Sequence, residues 1–212
     1  MNSRLPRGLW AVASELSVRD VDAWMHSAAG AAAWTFRRPA EGDREALHCL
    51  RRLREHAAWL AVHGRSDLAL LSQADGLIAG AQSLPWECLA DRLHARPSEP
   101  FPDRRRIVLG AAVHNQGQVE MAQRAQAKFL ILGPIWQTPS KRGILAPQGC
   151  EKLHALAAHD CPVLAIGGVD RPERVQQAHA AGAHGVLLLR AAQDAPLFQE
   201  LLCAWRESED AV

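Results

Sequence analysis

The strongest constraint in this sequence is a rhythm: eight short apolar runs, each followed by a longer amphipathic or polar stretch. The runs are Leu9–Val12, Trp34–Arg37, Ala58–Val62, Leu77–Ala79, Ile107–Ala112, Phe129–Leu132, Val163–Ile166 and Val186–Leu189. Bounded by glycine, proline or polar residues, runs of this length are expected as parallel strands covered on both faces. The stretches between them carry helical spacing. Val18–Ala31 follows Ser17, an N-cap residue type. In Asp43–His56, Leu47, Leu50 and Leu53 recur on one face with charge on the other. Gln116–Ala127 and Glu151–His159 repeat that design, Pro172–Ala181 opens with proline in its first turn, and Phe198–Arg206 closes the series. Shorter helices are expected from Asp67 to Gln73 and over Pro85–Arg92.

Eight strand-plus-helix units predict an α/β fold: a single (β/α)8 TIM barrel domain over residues 1–212, near the lower size limit of that architecture. The competitor is an open doubly wound sheet. The count of units, and a first strand without a nucleotide-type glycine-rich turn, favour the closed barrel. The proline- and charge-rich segment Ala95–Arg104 reads as a loop within the domain, because the strand rhythm resumes directly after it.

Composition excludes several classes of function. With 24 basic and 23 acidic residues the formal charge is +1, so no overall field draws in nucleic acid or an anionic membrane. The densest basic run, Arg104–Arg106, reads as a solvated face. Five scattered cysteines with no CxxC pair and no His/Cys ligand spacing suggest neither a disulfide framework nor a zinc site. Free thiols, no signal-type apolar region after Met1–Arg7 and no apolar run of bilayer length give the expectation of a cytoplasmic protein.

In a barrel of this kind the functional groups lie just after the strands, at their C-terminal ends. Gly167-Gly168, after the seventh run, is the sharpest signal: paired glycines let backbone N–H groups approach a ligand, and the last two loops of such barrels commonly cup a phosphate. The competing reading is a tight turn. Arg190, after the eighth run, is placed to pair with the same anion unless the strand register turns it outward. The long sixth loop supplies Thr138, Ser140 and Lys141, two hydroxyls and an ammonium suited to holding an anion, with Trp136 shaping a pocket beside them. Arg37 and Arg65 follow the second and third strands. His63 and His114 follow the third and fifth, where either is a candidate proton shuttle against a packing role.

Taken in order, these residues resemble the family of thiamine phosphate synthases and TenI-type thiazole tautomerases over nearly the whole chain. Carrying the resemblance are Gly133-Pro134-Ile135-Trp136-Gln137-Thr138-Pro139-Ser140-Lys141, Pro162 to Val169, Ala181-Gly182-Ala183-His184-Gly185-Val186, and Arg65-Ser66-Asp67-Leu68-Ala69 with Ala74-Asp75-Gly76. The resemblance implies a thiazole phosphate held by Thr138, Ser140, Gly167, Gly168 and the end of the eighth strand. It also implies a pyrimidine diphosphate side, to which Arg37 and Lys141 correspond. The synthases hold magnesium there with aspartates after the third and fourth strands. This chain has His63-Gly64 and Gly80-Ala81-Gln82-Ser83-Leu84-Pro85 at those places, Pro39 in place of a second basic residue, Ala112 in place of serine, and Arg190 in place of a small serine.

No metal and no cofactor are therefore expected, since a diphosphate leaving group would lack its usual counter-ion. The third loop, His63-Gly64-Arg65, is closer to the tautomerase branch, although Pro134 stands where that branch carries its histidine. Three activities remain open: a TenI-like protein binding a (carboxy)thiazole phosphate and tautomerising it, with His63, His114 or Lys141 as catalytic groups; a divergent synthase; and a catalytically silent phosphate- or partner-binding barrel. The expected partner is a small phosphorylated heterocycle, and a homodimer is compatible with the reading.

Overall fold

The computed structural model describes residues 5–39, 42–94, 107–141 and 143–211, excepting the side chains of Arg38, Pro39, Arg92, His94 and Ser140. Eight strands, β1 (Gly8–Leu16), β2 (Ala33–Pro39), β3 (Leu60–His63), β4 (Gly76–Ala79), β5 (Val108–Val113), β6 (Phe129–Leu132), β7 (Val163–Ile166) and β8 (Gly185–Leu188), alternate with helices α1 (Val21–Ser27), α2 (Asp43–His56), α3 (Ser66–Leu71), α4 (Trp86–His94), α5 (Gln116–Arg124), α6 (Gly149–Ala157), α7 (Pro172–Ala180) and α8 (Ala195–Asp210). Each strand pairs in parallel with its neighbours in sequence, and β8 closes onto β1 from Gly8 opposite Gly185 to Ala11 opposite Leu188. The architecture is a (β/α)8 barrel, and the open sheet is excluded.

The two-residue period of the strands sorts their side chains into two layers. Leu9, Ala11, Leu60, Val62, Leu130 and Leu132 meet the apolar faces of the helices, for example Leu50 and Leu53 of α2. Trp10, Val12, Ala33, Trp59, Ala61, Ile78, Phe129, Ile131, Leu164 and Leu187 fill the interior. Trp10, Trp59 and Phe129 form its aromatic floor, with ring centroids 4.7, 5.7 and 6.0 Å apart. A Cβ on Gly110 would stand 2.1 Å from the Phe129 ring, so only glycine lets that ring cross the axis. With the floor filled, the barrel axis is closed beneath the C-terminal ends of the strands.

Local departures from the sequence expectation have identifiable causes. The first helix is shorter: a 3-10 turn, Val18–Asp20, precedes α1. Ser17 caps nothing, since its hydroxyl donates to the Asp20 carboxylate at 2.6 Å. Strand β3 begins at Leu60 because Arg54 of α2 already binds the Ala57 and Ala58 carbonyls and the Asp75 carboxylate, which itself accepts from the Leu60 N–H at 2.9 Å. One consequence is that His63 belongs to the strand rather than to the loop after it. Strand β8 ends at Leu188, one residue early, and Arg190 leads a second turn over Ala191–Gln193. The expected loop Ala95–Arg104 and the run Arg104–Arg106 lie outside the described residues, except that α4 reaches His94. Among the described residues no helix is long and apolar enough to cross a membrane.

Candidate functional site

Two segments far apart in sequence meet at the C-terminal rim. The carbonyls of Ile166 and Gly167, at the end of β7, accept from the N–H groups of Ile135 and Trp136 in the loop after β6, at 2.9 and 3.1 Å. Gly167 and Gly168 have φ of +98° and +76°, a backbone that L side chains rarely adopt. Contact forbids a side chain there as well. A Cβ on Gly167 would lie 2.8 Å from the Pro134 Cβ and 3.5 Å from the Thr138 methyl, and one on Gly168 would lie 2.7 Å from the Trp136 Cβ. Among the described residues the N–H groups of Gly167, Gly168 and Val169 meet no backbone acceptor. Successive free amides at a glycine turn form a concavity that suits an anion. Thr138 is buried at its edge, and Lys141, half-buried, closes a turn by donating its N–H to the Thr138 carbonyl at 3.1 Å. The backbone of Ser140 runs between them.

On the adjacent strand, His114 follows β5 and is half-buried. Its Nδ1 bonds to the carbonyl of Gly133. A carbonyl only accepts, so the ring proton sits on Nδ1 and Nε2 carries the lone pair in the neutral ring. The main chain of His114 is fixed on both sides: its N–H donates to Gln118 Oε1 at 2.7 Å, and its carbonyl accepts from Lys152 Nζ at 3.1 Å. The ring thus has a defined tautomer on a backbone held from both sides.

His63 is of a different kind. By the strand period it shares the interior face with Trp59 and Ala61, and its Nε2 is enclosed without a partner among the described residues. Burial, and secondarily the charge of Arg37, push its pKa down to about 3. At neutral pH it is an uncharged hydrogen-bonding group rather than a group that cycles its proton. Arg37 is exposed, and no carboxylate among the described residues pairs with it. Thr35, two residues earlier on the same face, is fully buried with its hydroxyl unpartnered among the described residues. In the sequence the only sign of Thr35 is its two-residue spacing from Ala33 and Arg37, which marks it as inward-facing.

Arg65 sits elsewhere. Its guanidinium binds Asp43 at 2.7 and 3.0 Å and Asp67 at 2.9 and 2.6 Å, fastening the start of α2 to that of α3. Two carboxylates already satisfy its charge. Arg190 is exposed at the rim beyond β8, its carbonyl accepting from the Gln193 N–H at 3.0 Å. At the places where the resemblance implies magnesium-holding aspartates stand Gly64 and the segment Gly80-Ala81-Gln82-Ser83-Leu84-Pro85, which holds no carboxylate. A Cβ on Gly64 would meet only the Ser83 hydroxyl at 3.5 Å, so there is space but no ligand oxygen of the right charge. Among the described residues no group of three or more His, Cys, Asp or Glu could hold a metal ion. The donor set does not fit a divalent ion of the synthase type.

A closed barrel in which the loops after β6 and β7 meet at a pair of positive-φ glycines defines a (β/α)8 protein, a class whose functional groups lie at the C-terminal rim. Within that class the chain belongs to the family described as thiamine monophosphate synthase, whose TMP-TENI sequence model matches residues 20–192. A thiamine-phosphate synthase of Mycolicibacterium smegmatis is 37% identical over 155 residues, 72% of this chain and 63% of that protein. One from Mycolicibacterium vanbaalenii is 37% identical over 140 residues, 65% of this chain and 58% of its own length, so the match leaves over a third of both relatives uncovered. In solved structures, thiamine phosphate pyrophosphorylase from Pyrococcus furiosus superposes with a TM-score of 0.73 at 23% identity, covering 95% of this chain and 96% of its own. At that identity the likeness shows the fold.

Proposed function

We propose that this barrel binds a (carboxy)thiazole phosphate in thiamine biosynthesis, with the phosphate in the Gly167–Val169 concavity, and tautomerises the ring with His114 as proton carrier. The observation that carries the reading is the direct contact between the loop after β6 and the glycine pair after β7, which sets Thr138 against Gly167, with Lys141 closing the turn that follows Thr138. Backbone N–H groups and an ammonium together complement a doubly charged phosphate from several sides. Tautomerisation moves one proton from a ring carbon to His114 Nε2 and returns it to another carbon, with no change of oxidation state. The Gly133 carbonyl keeps Nδ1 protonated throughout and stabilises the imidazolium that forms. His63 and Thr35 line the interior beneath the ring as neutral polar groups, and Arg37 adds positive potential at the mouth.

A second reading, synthesis of thiamine phosphate, is favoured by the names of the relatives. It is disfavoured by Gly64 and by the carboxylate-free segment Gly80–Pro85, since a departing diphosphate carries charge that arginines alone neutralise less well than a bridging metal. The purified protein is to be given carboxythiazole phosphate, and separately both thiamine precursors with and without Mg2+. Tautomer exchange in the wild type, reduced about 10²–10⁴-fold in His114→Ala, is expected. Thiamine phosphate formed at an ordinary enzymatic rate overturns the proposal in favour of the second reading. Tight binding with neither reaction leaves a silent phosphate-binding barrel.

A further inference from the structure

The anion concavity depends on a residue that touches no part of it from inside. Arg174, in the first turn of α7, lies behind the glycine pair with a side chain only 17% exposed. Its Nη1 donates to the carbonyl of Gly168 and to the Asp170 carboxylate, the latter at 2.9 Å. Its guanidinium carbon stands 5.5 Å from the centre of the Trp136 ring, a cation–π distance. It therefore grips both walls at once, the glycine turn through a carbonyl and the β6 loop through an aromatic face.

In a planar trans peptide the carbonyl and the following N–H point in opposite directions. Pinning the Gly168 carbonyl from behind therefore aims the Val169 N–H away from Arg174, and this is one of the amides without a backbone acceptor among the described residues. A turn of two left-handed glycines has many alternative conformations, and nothing in its own side chains selects one. The pair with Asp170 is too exposed to account for burying an arginine, since such i,i+4 pairs contribute little. Arg174 also keeps its Nε enclosed without a partner among the described residues, a cost accepted in exchange for the two contacts.

We propose that Arg174 is a positioning residue that locks the glycine turn and Trp136 into the conformation that presents backbone amides to a phosphate. The proposal rests on reading the concavity as the phosphate site. Its test compares wild type, Arg174→Met and Arg174→Lys as full-length chains by calorimetric titration with carboxythiazole phosphate and with the dephosphorylated alcohol. Methionine keeps an apolar stem over Trp136 but removes every donor; lysine keeps the charge and an ammonium donor without the planar fork. The expected result is phosphate-ligand affinity about tenfold weaker in Arg174→Met, partly restored in Arg174→Lys, with affinity for the alcohol unchanged in both. A merely structural role would weaken both ligands in parallel, and that outcome overturns the proposal, as does phosphate affinity equal to wild type in both variants. If wild type itself prefers the phosphate no more than the alcohol, the phosphate site fails and this role fails with it, a result read before any variant is compared.

Discussion

Gly168→Ala is the substitution whose effect follows most directly from the geometry. Two costs arise. Alanine at φ +76° is in the left-handed region, worth about 1–2 kcal/mol against it. Its Cβ would stand 2.7 Å from the Trp136 Cβ and 3.0 Å from the Trp136 carbonyl oxygen, so one wall must retreat by roughly 0.8 Å to reach van der Waals contact. Shifts of that kind in packed structure cost about 1–3 kcal/mol, and the stiffer unfolded chain returns about 0.4–1 kcal/mol. The net loss is about 2–4 kcal/mol. Gly149→Ala supplies the control: its φ is +74° but nothing lies within 4 Å of the added Cβ, so it carries only the conformational part, about 1 kcal/mol. Urea unfolding of the two variants separates the contributions. The same displacement takes amides off the proposed phosphate position, and losing one charge-assisted hydrogen bond of about 1.5–3 kcal/mol would weaken phosphate-ligand affinity about 10–150-fold. Titration of Gly168→Ala with the phosphorylated thiazole reads this directly. Binding indistinguishable from wild type, or equal destabilisation in the two variants, would overturn this account of the turn.

Two further outcomes are expected. Asp75→Ala leaves Arg54, 20% exposed, without its carboxylate and the Leu60 N–H without its acceptor, so unfolding should cost about 3–5 kcal/mol less while ligand affinity in the surviving folded protein is unchanged; a loss below about 1 kcal/mol in urea would contradict the pairing. The folded pKa of His63, about 3, lies below its unfolded value near 6.5, so the unfolded state binds the extra proton first: the stability it contributes is complete above pH 6.5 and is lost as the pH falls toward 3. The stability gap between wild type and His63→Gln should therefore narrow on acidification from pH 6.5 to 5, and a gap independent of pH would mean that His63 is not enclosed.

The barrel was legible in the sequence because its signals are local. Strands β6 and β7 and helix α2 fall where periodicity alone places them, since burial on two faces writes a continuous apolar run and burial on one face writes a 3.6-residue stripe. The glycine pair was legible for the same reason, being a backbone requirement expressed at its own positions. Where the sequence misplaced an element, as in β3, the cause was a partner from outside it: Arg54 holds the preceding carbonyls, and a one-residue change moved His63 from the loop into the strand.

The state of each charged or polar candidate was decided by tertiary contacts. Arg65 and Arg37 look equivalent in the sequence, yet one is saturated by an aspartate 22 positions away and the other has no carboxylate partner among the described residues. His63 and His114 both end strands, but enclosure keeps the first neutral while the Gly133 carbonyl gives the second a defined tautomer. Arg174 reads as one more charge on a helix until Trp136 is brought against it from the neighbouring loop. Fold follows from patterns that each segment carries within itself. Reactivity depends on local dielectric and on which partner stands within hydrogen-bond reach, and these exist only after distant segments have met.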